Sequence, residues 1–252
     1  MSPFWIALQF LTTLPTPEIK TFRDQEMGRS VLFYPLIGLL IGLILWGAAL
    51  LLTQASNNLP FSALLNAALI LTLWVALTGA LHIDGLADCA DAWMGGLGDK
   101  KRTLEILKDP TSGPIAITVV VLVLLLKWLC LSMLLATSQS AYLLFIPFLS
   151  RWGLLLFFLF IPYVRTKGIA ATMTQALPRR PAIVISCLVA TLLLIFKTPG
   201  VLILLCLSLL FLIFRRHLLK RLGGFTGDTL GAWVECSELL LLLCAVFSLG
   251  HI

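Results

Sequence analysis

The sequence predicts an all-α fold. It is a polytopic bundle of about seven transmembrane helices, with six or eight as neighbouring solutions, forming one integral-membrane domain over residues 1–252. Three observations predict it. Of the 252 residues 60% are hydrophobic and only 12% are charged, and the mean hydropathy is +1.03. Several nearly uncharged runs approach the roughly 20 apolar residues that cross a bilayer. The charges that remain gather on one side of the topology those runs define.

Residues 1–14 (MSPFWIALQFLTTL) are apolar and aromatic but too short to span, and Pro15 and Pro17 close them. They are expected to form a short interfacial segment, either as a plain anchor or with Gln9, Thr12 and Thr13 lining a site. The first span is expected at 31–52, where Gly38-x-x-x-Gly42 offers a small-residue face for close packing. The second, 62–81, runs directly into an acidic stretch. Residues 95–113 are the longest polar connection, with a short helix expected at 103–107. Pro114 suits the first position of the helix that follows, where no amide donor is needed. Further spans are expected at 115–135, 142–161, 182–196, 201–214 and 229–249. The fifth and sixth of the series form a tight hairpin about Lys197-Thr198-Pro199-Gly200, and 215–228 reads as a basic, then glycine-rich connection.

With seven spans, all but three of the 18 Lys and Arg residues fall on one side. Lys127 and Arg151 lie within spans, and Lys197 lies opposite. The basic side should be cytoplasmic. Lys127 is expected to snorkel toward a surface, and Arg151 to pair with Glu235 or Glu238. The formal charge of +6 therefore reads as topology, not as nucleic-acid binding. The six scattered cysteines contain no C-x-x-C pair and read as small buried hydrophobes. The N-terminus lacks a basic region followed by a small-residue cleavage site, so no signal peptide is expected.

Chemistry should reside on the basic side, where three stretches converge. In residues 82–96 (HIDGLADCADAWMGG), Asp84, Asp88 and Asp91 are spaced i, i+4, i+7. If the second span's helix continues through them, they share one face at a helix C-terminus, where the dipole is already negative. A cation should compensate. Mg2+ fits, because it takes oxygen ligands and commonly combines one or two carboxylates with substrate phosphate. Asp84 and Asp88 are its expected ligands, with Asp91 as another. His82 is a general-base candidate, set against ordinary interfacial packing. The second stretch, Lys108-Asp109 through Gly113, couples a lysine and a turn to a helix start, which suits an anion. The third, Gly223-Gly224-Phe225-Thr226-Gly227-Asp228-Thr229, precedes another helix start. Gly224, Thr226 and Gly227 are expected to present amides to phosphate, with Asp228 and Glu235 on the helix beyond. Together these are the parts of a phosphoryl-transfer site.

These residues carry a resemblance. FLTTLPTP, FYPLIGLLIG, LHIDGLADCADAW, LEILKDPTSGPIA and GGFTGDTLGAWVECSE occur in the order found in the cobalamin synthase family and extend over nearly the whole chain. The chain departs from many members at Ala92, where they carry glycine. It departs again at Pro110-Thr111-Ser112, where they carry a basic residue. The resemblance implies an adenosylcobinamide-GDP ribazoletransferase in the bacterial inner membrane. Such an enzyme joins a corrinoid, nucleotide-like donor to α-ribazole or its 5′-phosphate, with Mg2+, and releases GMP. In that setting Asp91 or His82 would take the attacking hydroxyl's proton, and Lys108 and the 223–227 loop would hold phosphates. Other cobalamin-assembly enzymes and a second copy of the chain are the expected protein partners.

Two rival readings belong to other classes. DGLA at 84–87 looks like part of the DGxxAR motif of CDP-alcohol phosphatidyltransferases, but Asp88 stands where Arg belongs and the later GxxxDxxxD is absent. A divalent-cation transporter would use Glu235, Glu238 and the aspartates as a pathway. It would also need polar groups in the outer half, which is almost wholly apolar. A membrane scaffold for other enzymes leaves the acid cluster unexplained.

Overall fold

The computed structural model describes residues 2–18, 23–56, 59, 61–165 and 168–249. Lys20 and Lys167, both counted in the charge asymmetry, lie outside them. Helices α1 (Pro3–Leu11), α2 (Asp24–Ser30), α3 (Tyr34–Ala55), α4 (Ser62–Thr78), α5 (Leu81–Gly95), α6 (Lys100–Ile106), α7 (Pro114–Ala136), α8 (Tyr142–Phe160), α9 (Ile169–Gln175), α10 (Arg179–Ile195), α11 (Lys197–Arg221) and α12 (Gly227–Leu249) account for nearly all of it, and the described residues contain no strand. Five helical stretches are long and apolar enough to cross a bilayer. Two bent pairs, α4 with α5 and α9 with α10, bring the number to seven if each is one span.

The first span is longer than expected. A 3₁₀ turn at Val31–Phe33 joins α2 to α3 without a break. Gly38 and Gly42 face α8, and a β-carbon on either would overlap the α8 backbone at Pro147 and Leu144. The predicted small-residue face is therefore the α3–α8 contact. The segment 215–221, expected as a connection, instead extends α11. Leu218 and Leu222 continue its buried face until Gly223, with φ +77°, ends it, its amide donating to the Leu218 carbonyl at 3.0 Å. The cysteines also depart from expectation. Cys89 and Cys130 are buried, but Cys187 is exposed, as apolar residues on the outside of a membrane bundle can be.

The acidic stretch does not continue the second span. Gly79 and Ala80 both adopt left-handed φ values, +60° and +57°, and α5 leaves α4 at 88°. The N-terminal segment stabilises this elbow. The Thr13 amide donates to the Leu77 carbonyl at 2.8 Å, and the Thr13 hydroxyl donates to the Ala76 carbonyl at 2.9 Å. Both acceptors are last-turn carbonyls of α4, and the Ala76 carbonyl also accepts from the Gly79 amide at 3.2 Å. The Thr12 hydroxyl bonds back to Leu8. Of the three residues considered for site lining, Thr13 thus shapes the elbow.

Inside the bundle, Lys127 of α7 does not snorkel. It is buried, with Nζ 2.8 Å from Glu235 and 2.6 Å from Glu238, and it lies 4.7 Å from the Trp74 ring centroid. Arg151 of α8 pairs with Glu238, as expected. Two cations thus neutralise two carboxylates between α7, α8 and α12. The Glu235 and Glu238 pair invoked for a cation pathway is occupied by this network. Removing one member would leave a charge buried alone. Glu238→Ala should cost about 3–5 kcal/mol, read as a lowered unfolding temperature in detergent. Glu105→Ala, at the exposed Arg102–Glu105 contact of 3.8 Å, should change stability by less than about 1 kcal/mol.

Candidate active site

The elbow changes the electrostatics of the aspartates. Asp84 lies in the first turn of α5, where the helix dipole favours a negative charge, not at the end of a span where it would oppose one. Because 81–95 is helical, Asp84, Asp88 and Asp91 do share a face.

Two glycines bring α12 against that helix. A β-carbon on Gly85 would lie 2.6 Å from the Asp228 carbonyl oxygen, and one on Gly231 would lie 3.0 Å from the His82 carbonyl oxygen. This close crossing places the Asp228 carboxylate near Asp84 and Asp88. Asp88 feels the charges of Asp84, Asp228 and Asp91 together. Arg165, in the connection after α8, donates from Nη2 to Asp228 Oδ2 at 3.1 Å, while its Nε is buried without a partner. Among the described residues no ion pair involves Asp84 or Asp88.

The other expected site residues separate into two groups. Asp91 turns toward α7, accepting from the amides of Gly113 and Ala116, the latter at 2.9 Å. It caps that helix, so its oxygens are engaged by backbone amides, although its charge still reaches Asp88. His82 is buried and sits on the side of α5 away from the aspartates. Arg151 and Lys127 are the charges that reach it, and its Nε2 has no partner. It is therefore poorly placed to serve a proton on the aspartate face. Glu235, expected near substrate, is the buried partner of Lys127.

In the loop between α11 and α12, a β-carbon on Gly224 would overlap the Pro162 carbonyl, so this glycine permits the paired bonds between Phe225 and Pro162–Val164. Thr226 is buried and caps α12 reciprocally with Thr229: its amide donates to Thr229 Oγ1 at 2.9 Å, and its hydroxyl lies 3.2 Å from Asp228 Oδ2. Gly224 and Thr226 are thus positioning residues. Gly227 is exposed, with open space where a side chain would be. Lys108 and Asp109 are exposed in the turn before α7, and two hydrogen bonds from Thr111 hold the Asp109 carboxyl below its ordinary pKa.

Sequence reasoning missed Arg165, which reads as one more topological charge until Asp228 is seen beside it. Among the described residues no three His, Cys, Asp or Glu side chains converge as a metal-binding group. A pair of carboxylates is still a usual protein contribution to a Mg2+ site completed by phosphate and water.

Fold and site together define a multi-pass helical membrane protein with an acidic, arginine-flanked site at one end of the bundle. Comparison places it among known sequences. A family described as cobalamin-5-phosphate synthase matches residues 3–246. A protein of Stutzerimonas stutzeri named adenosylcobinamide-GDP ribazoletransferase is 50% identical over the full length of both chains. Proteins of the same name from Pseudomonas entomophila and Acinetobacter baumannii are 51% and 48% identical, covering 96% and 98% of this chain and 98% of each relative. The chain belongs to the cobalamin-5-phosphate synthase family and is an enzyme. No solved structure matches it.

The separation of roles is measurable. Asp91→Asn should lower thermal stability by about 0.5–2 kcal/mol, the usual cost of a weakened helix cap, while leaving most transferase activity in folded protein.

Proposed function

We propose that this chain catalyses the reaction its relatives are named for. It joins adenosylcobinamide-GDP to α-ribazole or its 5′-phosphate, releases GMP, and depends on Mg2+. The observation that carries the reading is the convergence of Asp84, Asp88, Asp228 and Arg165 at the α5–α12 crossing. The reaction forms one phosphorus–oxygen bond, from an acceptor ribose hydroxyl to the cobinamide-linked phosphorus, and breaks the bridge to GMP. The hydroxyl proton passes to a carboxylate of the cluster.

Asp84 and Asp88 are all-oxygen donors without a cationic partner among the described residues, a set that fits Mg2+. The bound ion would offset diphosphate charge. Arg165 can turn its unpartnered nitrogen to the diphosphate, since a guanidinium binds phosphate through paired donors. The basic residues at the same ends of the helices support a cytoplasmic orientation in the inner membrane.

The test is a transferase assay on the protein in membranes, with and without Mg2+. Asp84→Asn and Asp88→Asn should each reduce kcat by roughly 100-fold or more. Arg165→Ala should raise KM for the GDP-bearing donor more than for α-ribazole. Near-normal rates for both aspartate variants would remove the metal assignment, and activity with chelator present would remove the Mg2+ dependence.

A further inference from the structure

On the side of α5 away from the aspartates, a groove of about 580 Å³ separates α11 from α5, α7 and α12. Cys89 and Trp93 of α5, Val119 of α7, Phe214 and His217 of α11 and Cys236 of α12 are among its walls. These walls are apolar apart from His217 and Thr229. Of the five helices able to cross a bilayer alone, α11 is the least enclosed, with 11% of its most apolar window buried. The groove therefore opens beside a helix that faces lipid.

The flanking helix is strongly cationic at its C-terminus. Arg215, Arg216, Lys220 and Arg221 occupy the last two turns of α11, around His217. Arg221 bridges from α11 to the groove wall. Its Nη1 donates to the Trp93 carbonyl at 2.9 Å, and its guanidinium lies 4.8 Å from the Trp93 ring centroid. Its Nη2 is buried with no acceptor. A buried donor without a partner is costly, and a phosphate oxygen is a partner that the planar guanidinium suits well.

An apolar slot with a guanidinium stacked on its wall residue Trp93, and with several further cations on the flanking helix, matches a molecule with hydrocarbon at one end and a phosphate at the other. Four Lys or Arg residues at the end of a spanning helix are also the pattern that attracts anionic lipid. We propose that this groove is a binding site for one anionic phospholipid. Its acyl chains lie between α11 and the α5–α7–α12 wall, and its phosphate rests on Arg221. This inference is independent of the transferase assignment, because the groove lies behind α5 and its test reads lipid, not turnover.

The experiment is native mass spectrometry of the full chain in detergent, with phosphatidylglycerol or phosphatidylcholine of identical acyl chains added. Wild type should retain phosphatidylglycerol about tenfold more than phosphatidylcholine. Arg221→Ala should lose that preference, and Arg221→Lys should keep part of it. Ala90→Phe, which fills the groove from α5, should reduce retention of both lipids. Equal retention of the two lipids by wild type overturns the proposal even if no variant folds. So does a preference unchanged in folded Arg221→Ala, or displacement of the lipid by α-ribazole, which would reassign the groove to the acceptor.

Discussion

The contact on which the site depends is the crossing of α5 over the first turns of α12, made without side chains at Gly85 and Gly231. Two helices that carry carboxylates repel each other. Here they meet because backbone packs directly on backbone, over a buried aromatic cluster in which Phe157, Phe225 and Trp233 touch one another or share neighbours. Trp233 fits over Gly153, and its indole donates to the Ser150 carbonyl at 3.0 Å. That packing fixes the start of α12, and the start of α12 fixes Asp228. Gly85 therefore has a steric role within the acidic motif. A methyl group there would separate Asp84 and Asp88 from Asp228 without altering any charge.

The elbow before α5 is the second constraint. A continuous helix would carry the aspartates along the axis of the span and place them against its dipole. The left-handed pair at Gly79 and Ala80 bends the chain by 88° and starts a new helix with Asp84 in its first turn. Alanine in that conformation costs about 1–2 kcal/mol, and the Thr13 bonds to Ala76 and Leu77 help to offset it. This gives Thr13 of the N-terminal motif a physical role. It reaches across the fold and stabilises the turn that orients the acids.

Much of the architecture was legible in the sequence, and the failures have identifiable causes. Hydropathy alone located the spans, because a bilayer leaves few alternatives to an apolar helix. Gly38-x-x-x-Gly42 announced the α3–α8 contact, and an arginine inside a span announced its buried glutamate. The elbow was hidden because Ala80 is a helix-forming residue in a left-handed position, and because its support comes from Thr13, far away in the chain. Lys127 was misjudged because a lysine stem can snorkel or pair, and only the facing helix decides. Asp91 looked like its neighbours at i−3 and i−7, since helical spacing says which residues share a face but not what stands opposite. Arg165 had no motif of its own. Its meaning comes entirely from Asp228.

The strongest argument for chemistry at the rim is the contrast between the two carboxylate groups of this one chain. Glu235 and Glu238 lie deep in the bundle, and each meets a cation at hydrogen-bonding distance. Burial demands such pairing, because an unpaired charge in a low-dielectric interior is too costly to keep. Asp84 and Asp88 lie where water can reach them and have no such partner among the described residues, although Arg165 stands close by and binds Asp228 instead. A fold able to neutralise its interior acids this thoroughly could have placed a cation against the outer ones. On the proposed reading, the open carboxylates leave a negative site for Mg2+, and Arg165 Nε, which has no protein partner, is left for a phosphate.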